Sequence, residues 1–159
     1  MDYARAVRQF PPSPAGDVSF RLGAGQTDRG HLEIEHLGDG GTRPVRIVFD
    51  DKARVLAVNG NRLVALANYQ SSLWSTFTIR AANGRYALIR NGESLLKDAE
   101  FSERSPSIYA LSQRTGEFRG TVPPDPSVDL PGTEEPHPAV VYRVDDVTSV
   151  TSSQDSPQQ

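Results

Sequence analysis

Two glutamates in the run Glu33-Ile34-Glu35-His36-Leu37-Gly38 are the first residues of this chain whose types and spacing suit chemistry. In an extended strand residues i and i+2 share a face, so both carboxylates stand together. A carboxylate pair about 5 Å apart can act as nucleophile and acid at a glycosidic bond. Three histidines, His31, His36 and His137, are the other candidates for acid–base or metal work. His31 and His36 fall on opposite faces of a strand, so one zinc ion cannot take both without a bend, and solvated or capping histidines fit the spacing better. No serine lies in a Gly-x-Ser-x-Gly elbow. The chain has no cysteine, which removes thiol nucleophiles, disulfides and cysteine-held metals.

A second set of residues suits recognition. A saccharide needs a flat aromatic face for its C–H side and planar hydrogen-bonding groups for its hydroxyls. Tyr69, Gln70, Trp74, Tyr86, Arg90, Tyr109 and Arg114 are of the right types. Trp74 opens a strand and is expected to seal the edge of a core, whereas Tyr69 and Gln70, just after a strand, suit a rim loop. Tyr86 and Arg90, sharing a sheet with Thr76, Thr78 and Glu35, would form a polar, planar platform for an acidic or neutral glycan. Whether Tyr86, Leu88 and Arg90 point outward, or Ala87 and Ile89 do, the alternation alone leaves open.

These residues need strands to hold them, and the chain reads as strands nearly throughout. Val18, Phe20 and Leu22 alternate with Ser19 and Arg21; Leu32 and Ile34 with Glu33 and Glu35; Val45, Ile47 and Phe49 with Arg46 and Val48. Further runs span 54–58, 62–67, 73–80, 85–90, 93–96, 107–112 and 140–150, about ten strands in all. Phe77 and Ile79 point opposite to Thr76 and Thr78. Asn83-Gly84 and Asn91-Gly92, flanked by apolar residues, are strong hairpin signals. Tyr3 to Gln9 is a short helix stopped by Pro11-Pro12 or a first edge strand. Thr121 to Ala139, with six prolines, is expected to run extended between two sheets, pinned by Val128 and Leu130. One domain is expected over 1–150, with a disordered tail over 151–159.

Composition narrows the partners. Seventeen basic and twenty acidic residues give a net charge of −3, with no basic run to track phosphates, so nucleic acid is not expected. No apolar stretch is long enough to span a membrane, so no membrane partner is expected, and the start Met1-Asp2-Tyr3-Ala4-Arg5 has no signal-peptide core, which leaves the compartment open.

The segment Trp74-Ser75-Thr76-Phe77-Thr78-Ile79, followed by Gly84-Arg85-Tyr86-Ala87-Leu88-Ile89-Arg90-Asn91-Gly92, resembles a hairpin of laminin-G-like and concanavalin-A-like domains. Val141-Tyr142-Arg143-Val144-Asp145-Asp146-Val147 is similar to the strand with which such domains end. Leu111 to Gly120 resembles a segment of accessory jelly rolls joined to sialidase-like propeller proteins. The resemblance implies an all-β fold, a two-sheet antiparallel jelly-roll sandwich of the concanavalin A-like type, with a concave sheet that many relatives use for glycans. It also implies a structural calcium, to which Asp145 or Asp146 would contribute an oxygen, although neighbours on a strand face opposite ways and a hydrogen-bonding role stays open for the pair.

The same fold class includes glucanases and lyases. The glucanase pattern requires a further carboxylate where this chain has Gly38, and glycine cannot protonate a leaving group; the Gln-x-His strand of the lyases is absent. The expected function is therefore a non-catalytic glycan-binding or accessory module of a larger glycan-acting protein, secreted or extracytoplasmic, with a neighbouring catalytic domain as a further partner. The alternatives are a docking domain with no sugar site and, less favoured, an enzyme using Glu33 and Glu35.

Overall fold

The computed structural model describes residues 5–115 and 140–151. Within them lie eleven strands: β1 (Arg5–Ser13), β2 (Gly16–Ala24), β3 (Leu32–Gly38), β4 (Arg46–Phe49), β5 (Arg54–Asn59), β6 (Arg62–Asn68), β7 (Ser75–Ala82), β8 (Arg85–Arg90), β9 (Glu93–Glu100), β10 (Ile108–Thr115) and β11 (Tyr142–Thr151). One 3-10 turn, Asp39–Gly41, follows β3. A six-stranded sheet runs β1-β10-β3-β4-β5-β6 and a five-stranded sheet runs β11-β2-β7-β8-β9, with every paired strand antiparallel. The all-β sandwich expected from the alternation is the observed architecture.

Period two drives the packing. Val18, Phe20, Leu22 and Ala24 of β2, Phe77, Ile79 and Ala81 of β7, and Ile34, Ile47, Phe49, Val55 and Ala57 of the other sheet share one buried cluster. At its centre Phe77 stacks on Phe20, centroids 5.6 Å apart, and meets Phe49 edge-to-face at 5.3 Å. Each such aromatic pair adds about 0.5–1.5 kcal/mol beyond the area it buries. The hairpins β7–β8 and β8–β9 turn on Asn83-Gly84 and Asn91-Gly92, and all four residues have positive φ, as the two-residue turn requires.

One open alternative is resolved and one boundary moves by a residue. The N-terminal segment is a strand from Arg5 rather than a helix, and because β1 lies at a sheet edge, Pro11 and Pro12 cost it no ladder partner on the open side. Thr151, expected to begin the tail, is the last residue of β11. Thr121 to Ala139 and the tail from 152 onward lie outside the described residues.

Candidate functional site

β3 is buried along its whole length, on both faces. Its inward residues Leu32, Ile34 and His36 meet the core, and its outward residues Glu33 and Glu35 carry carboxylates that are only 1 % exposed. A carboxylate removed from water demands a cation or several hydrogen bonds. The neighbouring strands supply them. Register places Glu35 beside Arg46 on β4 and Ser112 on β10, and Glu33 beside Val48 and Arg114. Arg46 Nε donates to Glu33 Oε1 at 2.7 Å and lies 3.9 Å from Glu35 Oε2. Arg114 Nη2 donates to Glu33 Oε2 at 3.3 Å, and its Nε lies 3.4 Å from Glu35 Oε1. Arg43, in the loop before β4, donates from Nη1 to Glu35 Oε2 at 3.1 Å.

The result is a layer of two carboxylates below and three guanidinium groups above, on the outer face of the six-stranded sheet. The arginine stems cover the glutamates while 22–26 % of each arginine side chain reaches solvent. At the sheet edge Arg5 continues the layer, its Nε donating to the buried Ser112 hydroxyl at 3.1 Å. Burial raises the Glu35 carboxyl above the ordinary carboxylate range and the adjacent Glu33 carboxylate adds to this, while Arg114 and Arg43 pull the other way. The arginines are therefore fixed by ionic contacts to the glutamates beneath them.

The platform expected from the sequence is not on one face. Glu35 belongs to the six-stranded sheet, whereas Thr76, Thr78, Tyr86 and Arg90 belong to the five-stranded one. Thr76 and Thr78 face outward there, Thr78 sharing a hydrogen bond with Ser19 at 2.8 Å. Tyr86 points inward, 2 % exposed, and donates its hydroxyl to Val58 O; Arg90 Nη1 donates to Asn68 O at 2.7 Å, joining the two sheets at their rim. Register explains the split: Tyr86 lies opposite Ala81, Leu88 opposite Ile79 and Arg90 opposite Phe77, all members of the inward set.

Tyr69 is not on a rim surface either. It is buried, packs edge-to-face on Phe49, and donates to Asp50 O at 2.6 Å, while Gln70 beside it is exposed. Burial first, and then Tyr142, push its phenol well above the ordinary range. His36, expected to be solvated or a cap, lies inside the sandwich. Trp74, expected to seal the core edge, is 43 % exposed and lies against Gly23 on the outside of the five-stranded sheet.

The acidic pair of β11 is engaged in contacts within the protein. Asp146 has φ 50° at a bulge and its carboxylate meets Arg21 at 3.3 Å, while Asp145 Oδ1 accepts the Asp146 N–H at 2.8 Å. Among the described residues no three His, Cys, Asp or Glu side chains group together as a metal would need.

The residues that sequence reasoning missed are Arg43 and Arg46. Arg46 was legible in principle, since Val45, Ile47 and Phe49 point inward and leave Arg46 facing out on a strand that could pair with Glu33 and Glu35. Arg43 sits in a loop and carries no periodic signal.

Two antiparallel sheets packed face to face, with a charged outer face built on β3, β4 and β10, define a lectin-like jelly-roll sandwich. The chain belongs to the family described as Sialidase-like, CBM domain, whose model matches residues 1–131. It is a carbohydrate-binding module without catalytic function. A solved sialidase is similar over 96 % of this chain at 25 % identity with a TM-score of 0.84, and the chain spans 14 % of that protein. A tetrameric galectin from the ball sponge Cinachyrella sp. matches 92 % of this chain and 99 % of its own at 10 % identity, TM-score 0.60. A toad ovary galectin in complex with thio-digalactose matches 69 % of this chain and 90 % of its own at 13 % identity, TM-score 0.53. At those identities the galectins share the fold. No curated protein sequence matches the chain.

Proposed function

We propose that the outer face of the six-stranded sheet is the glycan-binding surface, with Arg46, Arg114 and Arg43 as the donors that meet sugar oxygens and Glu33 and Glu35 as the groups that hold those donors in place. The observation that carries this reading is the layering: two carboxylates buried beneath arginines that remain about a quarter exposed. A buried ionic layer is seldom worth more for stability than apolar residues of the same volume. It does supply planar donors that lose little freedom when a ligand arrives. The ligand is an acidic or neutral glycan, and neither nucleic acid nor membrane is its partner.

We further propose that residues 1–150 act as one module within a longer glycan-acting protein outside the cytoplasm. The supporting observation is that the similar sialidase extends far beyond the region this chain matches. A catalytic domain would then be the neighbour, and this module would raise its residence on glycan.

Titration calorimetry with neutral and sialylated oligosaccharides tests the site. Arg46→Lys and Arg114→Lys keep the charge and lose the planar fork. Each should weaken binding by about tenfold, the worth of roughly 1.4 kcal/mol, with the strand-rich circular-dichroism spectrum unchanged. Undiminished affinity in the folded double variant would remove this face from the reading.

A further inference from the structure

The five-stranded sheet has an outer face of its own, and one position on it is shaped by an aromatic ring. The outward residues of β2 are Asp17, Ser19, Arg21 and Gly23. A Cβ on Gly23 would come 3.2 Å from both Cδ2 and Cε2 of Trp74 and 3.4 Å from Cε3. Cδ2 and Cε2 are the ring-fusion atoms, in the middle of the indole, so the ring meets the strand with its face. Glycine is what allows this close approach. The Arg21 guanidinium carbon lies 4.9 Å from the ring centroid and is held by Asp146. The indole thus rests its face on the strand and has a fixed cation over its ring, yet keeps 43 % of its surface in solvent.

The flanking residues are polar and of both signs. Arg143 of β11 stands directly across from Gly23 and is exposed. Asp145, across from Arg21, is exposed and uses one carboxylate oxygen for the Asp146 N–H. Thr76, two residues beyond Trp74, faces the same way. An apolar protein partner would call for a broad hydrophobic patch. Leu73 and Val141 are exposed nearby as well, but a guanidinium, a carboxylate and a hydroxyl share this face with the indole, which is the complement of a ring with C–H groups on its face and hydroxyls on its rim.

We propose that Trp74, Gly23, Arg143 and Asp145 form a second carbohydrate site, on the opposite side of the sandwich from the arginine layer. A pyranose stacks its C–H face on Trp74, accepts a hydrogen bond from Arg143, and donates one from a hydroxyl to Asp145. Occupied together, the two faces let one module bridge two glycan chains or two points on one chain, so its avidity exceeds that of either site.

Trp74 is the only tryptophan in the chain, so intrinsic fluorescence reports on this site. The test is a fluorescence titration of the full chain with lactose, maltose, chitobiose and 3′-sialyllactose. At least one should shift the emission saturably, Arg143→Ala should weaken that response about tenfold, and the response should persist in the Arg46→Lys variant of the other face. Silence from all these sugars overturns the proposal. So does a response that Arg143→Ala leaves untouched, or one that disappears with Arg46→Lys, since it would then originate across the sandwich. Arg143 is exposed and its replacement does not threaten folding, and binding by the arginine layer, read by calorimetry, should be unaffected by it.

Discussion

His36 enters the sandwich interior from β3, where Phe10 meets it edge-on at 6.3 Å and its Nδ1 finds no partner among the described residues. Burial lowers its imidazole from 6.5 to about 4, against a weaker opposing hydrogen bond to the Ala110 backbone. Above pH 6.5 the ring is neutral in both folded and unfolded chains and pH has no leverage through it. As pH falls from 6.5 toward 4 the unfolded chain takes a proton that the folded one refuses. Stability is therefore lost across that window and levels off below it, by roughly 3 kcal/mol at 1.36 kcal/mol per unit. Urea midpoints measured between neutral pH and about 4 should fall more steeply for the wild type than for His36→Leu; parallel curves would assign the acid lability to other groups.

Among the elements, β3 is the one on which both the core and the arginine layer depend, and its end shows how tightly it is placed. Gly38 closes β3 where Ser105, in the loop before β10, packs against it. A Cβ there would overlap Ser105 Oγ and come 2.7 Å from Ser105 Cβ and 2.8 Å from Thr42 Oγ1. The residue that breaks the catalytic carboxylate pattern is thus glycine for a packing reason. Gly38→Ala should cost about 1–3 kcal/mol through displaced backbone, visible as a lower thermal midpoint, while the equivalent change at Gly84, whose surroundings are open, tests only the cost of its positive φ. A Gly38→Ala protein as stable as the wild type would show that the Ser105 loop yields freely.

At the scale of the whole molecule the two outer faces share one interior. Phe77 bridges that interior, stacked on Phe20 of its own sheet and edge-on to Phe49 of the other. Phe77→Ala should lose about 3–5 kcal/mol in denaturant unfolding, as large aromatic truncations in cores do. Both sugar responses, the calorimetric one on the arginine layer and the fluorescent one at Trp74, should weaken together as the folded fraction falls. Loss of only one, at full folded population, would mean that the faces are supported separately.

Residue order alone determined that this chain forms antiparallel strands, that Phe77 and Ile79 oppose Thr76 and Thr78, and that Glu33 and Glu35 share a face, because side-chain direction in a strand repeats every second residue. The same rule says which residues travel together but not which way they turn, so Tyr86 and Arg90 could be grouped and not oriented. Tertiary structure decided the rest. The pairing of β3 with β4 and β10, strands far apart in the chain in the second case, put arginines over the glutamates. The approach of Trp74 to Gly23 came from β2 and β7 lying side by side. Such contacts depend on distances between segments that closing the sandwich sets, and no local pattern encodes them.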